Sequence, residues 1–148
     1  MTPKKFRFPL QKLLNLRQFA EDRARVELGK AVSEVERINQ DLHGNAEKRA
    51  ALSRFPVVSG QGQPSEAVHV GTLLSVERYA ARLDAERERL LEDLAAAETV
   101  AESKRKAYVE CAKNVKILEN LKEKKLSDWR KERADEQDNE TDDIVNSN

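Results

Sequence analysis

Val76-Glu-Arg-Tyr-Ala80-Ala-Arg-Leu83-Asp-Ala-Glu-Arg87-Glu-Arg-Leu90-Leu-Glu-Asp-Leu94 opens a 4-3 repeat. It keeps step through Ala97, Ala101, Lys104, Tyr108, Cys111, Val115, Leu118, Lys122 and Lys125 to Trp129. Of these 16 positions, 12 are apolar. Residues at that spacing share one face of an α-helix, so the stretch predicts a single long helix. One helix cannot hide such a face from water, and a second helix must cover it.

The chain supplies a candidate upstream. Leu10, Leu14, Arg17, Glu21, Ala24, Leu28, Ala31, Val35, Ile38, Leu42, Asn45, Arg49 and Leu52 keep the same spacing, most cleanly from Ala24 to Leu42. Toward the N-terminus the stripe Leu13, Leu16, Ala20, Ala24, Leu28 is more apolar. That stripe predicts a stutter, which would locally relax the supercoil. Between the two seams, Phe55-Pro-Val-Val-Ser-Gly-Gln-Gly-Gln-Pro-Ser65, together with Gly71 beyond, holds two of the four prolines and three of the five glycines. Proline lacks an amide donor and glycine adds backbone freedom, so the helix should stop there and the chain reverse. Thr72 and Ser65 are both candidate N-caps for the second helix.

These features predict an all-α fold, a long antiparallel two-helix coiled-coil hairpin. Its parts are an N-terminal segment and first helix at 1–53, a Gly/Pro-rich connection at 54–71, a second helix at 72–134 and a disordered acidic tail at 135–148. At 1.5 Å per residue the helices should measure roughly 65 and 95 Å. If the connection sets the register, Leu10 falls near residue 115. Leu118 to Arg133 is then an overhang with no partner in the chain. Charged residues at 36% and aromatics at 5% leave little material for a globular core, and the seam itself should be the core. Several seam positions are alanine, which buries little area.

Charge is segregated although the net charge is zero. The first 20 residues carry Lys4, Lys5, Arg7, Lys12 and Arg17 with no acid. From Ala134 onward, Asp135, Glu136, Asp138, Glu140, Asp142 and Asp143 stand without a base. Lys104, Lys122, Lys125, Arg17, Arg49 and Arg87 interrupt the seams; their stems should pack while their charged heads reach water. Mixed signs along the overhang argue against a nucleic-acid partner. A single cysteine, Cys111, excludes an intrachain disulfide framework and reads as a small seam hydrophobe. No apolar run reaches the length of a signal peptide or a membrane span, so the chain is expected to be cytoplasmic without direct membrane insertion. His43 and His69, the only histidines, show no Cys or carboxylate at ligand spacing, and neither a metal nor a cofactor is expected. With no phosphate-cradling loop and no activated nucleophile, the chain reads as a non-enzyme.

The ends of the chain are more specific. Phe6-Arg-Phe8-Pro-Leu10-Gln-Lys-Leu13-Leu14-Asn-Leu16-Arg17, followed by Glu21 and Ala24, resembles the opening of the flagellar export protein FliJ family. Leu118-Glu-Asn-Leu121-Lys-Glu-Lys-Lys-Leu126-Ser-Asp-Trp129-Arg-Lys-Glu132, then Glu136 and the acidic Asp142-Asp143-Ile144, is similar to that family's C-terminal pattern. The resemblance covers almost the whole length.

It implies a non-enzymatic stalk of the flagellar type III export apparatus, serving motility and similar to the central-stalk coiled coil of rotary ATP synthases. The implied partners are the hexameric flagellar export ATPase, the cytoplasmic domain of the membrane export gate, and export chaperones. The implied location is the cytoplasmic face of the inner membrane at the flagellar base. Carried onto this chain, the ATPase contacts are Phe6, Phe8, Leu10, Leu13, Leu14, Arg17, Leu121, Leu126 and Trp129. Tyr79 and Leu83 are the export-gate contacts. An injectisome secretion stalk has the same physics and stays open beside this reading, as does a coiled-coil chaperone or scaffold unrelated to export.

Overall fold

A computed structural model describes residues 4–54 and 66–147. Helix α1 is Gln11–Ser53 and helix α2 is Glu66–Asn146, giving the helical hairpin that the two seams predict. The chain forms two compact units. The terminal unit holds Met1–Val26 with Arg105–Asn148, and the central unit holds Glu27–Lys104. Most of the connection, at 55–65, lies outside the described residues, and so does the Ser65 cap candidate.

In the central unit, Ala31, Ile38, Asn45, Leu83 and Ala101 are buried, with Leu28, Val35, Leu42, Leu90, Leu94 and Ala97 half-buried beside them. All are seam positions. The helix segments run antiparallel, since Arg37 feels the charge of Asp93 while Asn45, further along α1, bonds Leu83, earlier in α2. Asn45 is the buried polar residue of this core. Its Nδ2 donates to the Leu83 carbonyl at 3.0 Å and lies 3.5 Å from Glu86 Oε2. A buried amide must find a partner, so this bond favours the observed alignment of the helices. Arg49 Nε reaches Asp84 Oδ1 at 3.1 Å in the same alignment.

The terminal unit is sealed differently. Phe8, Leu14, Val115 and Leu118 form one buried cluster, with Phe6 and Leu121 packed against it. Arg25 lies 5.8 Å over the Tyr108 ring, again an antiparallel pairing. A hydrogen bond to Tyr108, then the charges around it, holds the Arg25 guanidinium above its ordinary value. Cys111 is half-buried in the seam with a free thiol.

Three expectations need correction. The register places α1 roughly one to two helical turns further along α2 than the connection suggested, because seam contacts such as Asn45 to Leu83, and not the midpoint of the connection, set it. Consequently Leu118 is buried, and the stretch expected as a bare overhang has partners within the chain. Near the start of α1 the buried face is Leu14, with Gln11, Gln18 and Glu21 half-buried, while Leu13 and Leu16 are exposed. From Ala24 onward, Ala24, Leu28, Ala31, Val35, Ile38, Leu42 and Asn45 keep the 4-3 step as buried or half-buried positions. Finally, α2 begins six residues before Thr72 and runs past 134 to Asn146. No Gly or Pro follows Gly71 to stop it, and Ala, Glu and Gln favour helix. Side chains 134–147, including those of the acidic stretch, are all exposed.

Candidate functional site

The described start of the chain lies outside helix and strand. Residues 4–8 precede a turn at Pro9 and Leu10, and the Gln11 amide donates to the Phe8 carbonyl at 3.1 Å, so a backbone oxygen caps the first turn of α1. Along this segment Lys5 and Arg7 face solvent while Phe6 and Phe8 turn inward, a period-two alternation. Phe8 is buried against Leu14, Val115 and Leu118. The Phe6 ring packs on Trp129 with centroids 5.9 Å apart at 57°. Arg133 clamps the far end: its Nη1 donates to the Lys4 carbonyl at 2.8 Å and its guanidinium lies 5.1 Å over the Trp129 ring.

The predicted ATPase-contact residues therefore divide. Phe8 and Leu14 are interior and support the surface. Phe6, Leu121 and Trp129 are half-buried where the segment meets α2, and Leu126 is half-buried further along α2. Leu10 is exposed in the turn before α1, and Leu13 and Arg17 are exposed on α1. Sequence reasoning passed over Leu16 and Phe19 as surface residues, although both are well exposed. The signal was present: Leu13 and Leu16 belong to a second apolar stripe, and a helix with two such stripes buries only one in its own seam. Leu13, Leu16 and Phe19 on α1, with Leu10 in the turn before it, are thus exposed apolar surface near exposed Lys12 and Arg17. The helix N-terminus adds a positive dipole end, and its first turn carries no acid. Apolar area rimmed by positive charge suits a partner surface of apolar character with an acidic border.

The gate candidates also separate. Leu83 is 2% exposed and its carbonyl is engaged by Asn45, whereas Tyr79 is 38% exposed. Val70, Leu73 and Leu74 add exposed apolar surface on the same part of α2. His43, read from sequence as lacking a nearby carboxylate, has Glu47 at 3.1 Å, an exposed pair one turn apart. Among the described residues, no group of three or more His, Cys, Asp or Glu is placed to hold a metal ion, and no helix is long and apolar enough to cross a membrane.

The family model described as Flagellar FliJ protein matches residues 6–148. No curated protein and no solved structure matches the chain.

Proposed function

This chain belongs to the flagellar FliJ family, a family of flagellar type III export, and we propose that it is a non-enzymatic stalk that binds and regulates the hexameric export ATPase. The observation that carries the reading is the exposed apolar surface of Leu10, Leu13, Leu16 and Phe19, near Lys12 and Arg17, on a unit that buries Phe8, Leu14, Val115 and Leu118 as its core. That surface has no structural task within the hairpin. A single hairpin has no sixfold symmetry, so it meets six equivalent ATPase subunits unequally and biases their conformations by differential contact. The family match names the flagellar system, which favours this reading over an injectisome stalk.

The test is steady-state ATP hydrolysis by the purified export ATPase with and without the chain. Wild type raises the rate, and a Leu13→Glu/Leu16→Glu variant of unchanged helix content does not. A rate indifferent to the wild-type chain overturns the reading.

In the central unit, Tyr79 is the export-gate contact and Leu83 supports the backbone beneath it. Capture of the gate's cytoplasmic domain falls with Tyr79→Ala; capture equal to wild type removes Tyr79 from this role. Export chaperones are further partners, and the chain works at the cytoplasmic face of the inner membrane.

A further inference from the structure

We propose that residues 4–6 are a releasable strap, anchored at Phe8, that when docked hides part of the partner-binding surface of the terminal unit. The inference rests on the reading above in one respect, that this unit binds the export ATPase.

The same side chains are asked to do two things. Phe6 and Trp129 are both candidate partner contacts, yet in the hairpin each covers the other, 5.9 Å apart. Leu121 packs against the cluster that holds Phe8. While the strap is down, Phe6 and Trp129 are half-buried and offer a partner only part of their surface. Its attachment is of a kind that lets go: a stretch without helix or strand, one half-buried aromatic ring on Trp129, and one side-chain hydrogen bond from Arg133 to the Lys4 carbonyl. Every other side chain of the segment points to solvent. Release uncovers Phe6 and Trp129, which add to the exposed apolar surface of Leu10, Leu13 and Leu16. The apolar surface offered to a partner grows without either helix unfolding. Docked, the strap competes with the partner; a ligand that prefers the open state draws the population toward it.

Arg133 is the clamp and not one of the contact candidates, which makes it the position to test. Trp129 is the only tryptophan of the chain, so its fluorescence reports the strap without a label. The experiment measures Trp129 emission, iodide quenching and helical dichroism of the full chain as wild type, Arg133→Ala and Phe6→Ala, and then affinity of wild type and Arg133→Ala for the export ATPase. Both variants should shift Trp129 emission to longer wavelength and increase quenching with helix content unchanged, and Arg133→Ala should bind the ATPase more tightly than wild type. A mere structural role for Arg133 predicts weaker or equal binding. Unchanged quenching in Phe6→Ala, helix loss accompanying strap release, or binding by Arg133→Ala no tighter than wild type overturns the proposal. If wild type shows no affinity for the ATPase, the functional reading fails, and the strap itself is judged on the fluorescence alone.

Discussion

The two units close the same kind of seam with different material. The terminal unit uses bulk, with Phe8, Leu14, Val115 and Leu118 buried together and Phe6 and Leu121 packed on them. The central unit uses small residues and one amide: Ala31 and Ala101 let the backbones approach, Ile38 and Leu83 fill what space remains, and Asn45 favours the observed alignment. Large side chains supply stability in proportion to area but tolerate neighbouring alignments. A buried amide contributes little area and favours the alignment that gives it a partner. The difference assigns stability chiefly to the terminal unit and register chiefly to the central one.

Truncation should expose that difference most strongly. Leu118→Ala in the terminal unit should lower unfolding free energy by about 3 kcal/mol, while Ala101→Gly in the central unit should cost only about 1. Urea denaturation of the two variants checks this, and equal losses would erase the contrast. Next in size, Asn45→Ala removes a buried hydrogen bond and should cost about 1 to 2 kcal/mol. Asn45→Leu should restore stability while admitting other alignments, seen as additional distances between spin labels on α1 and α2. A single unchanged distance would deny Asn45 its role.

The smallest effect concerns charge. Arg37 Nη2 bonds Glu34 Oε1 at 2.6 Å on the exposed face of α1, and that bond holds the Glu34 carboxyl below its ordinary value. A lowered folded-state pKa means the contribution is present above the unfolded-state value and disappears as pH falls through the folded one. Glu34→Gln should therefore shift the denaturation midpoint slightly at neutral pH and not at all in acid. A difference that persists in acid would trace the effect to packing. Raised salt should shrink it further, as expected for an exposed pair.

The seam was legible because its repeat is a property of order along the chain. Leu83, Ala101, Val115 and Leu118 are buried as the 4-3 spacing predicts. Interrupting residues behaved variously: Lys104 and Lys122 are half-buried along their stems, and Arg87 and Lys125 stand in solvent. What the repeat does not encode is alignment between helices. Periodicity is unchanged when one helix slides a turn past the other, and only a directional contact such as Asn45 to Leu83 separates the alternatives. The choice of stripe at the start of α1 was hidden for another reason. Leu13 and Leu16 are more apolar than Gln18 and Glu21, and apolar content alone cannot tell a face kept for the chain's own core from one turned outward. The N-terminal segment left a readable trace, Phe6 and Phe8 alternating with Lys5 and Arg7, but its docking site on α2 depends on the register and was out of reach without it.

Leu14 and Leu16 give the most direct test, being two residues apart on one helix, at 2% and 62% exposure. Chemical denaturation of Leu14→Ala and Leu16→Ala, measured side by side, asks which stripe is core and which is surface. A buried leucine cut to alanine should cost about 3 kcal/mol, and the exposed one less than about 0.5. Comparable losses at both positions, or a larger one at Leu16, would contradict the assignment of the seam on which the binding surface depends.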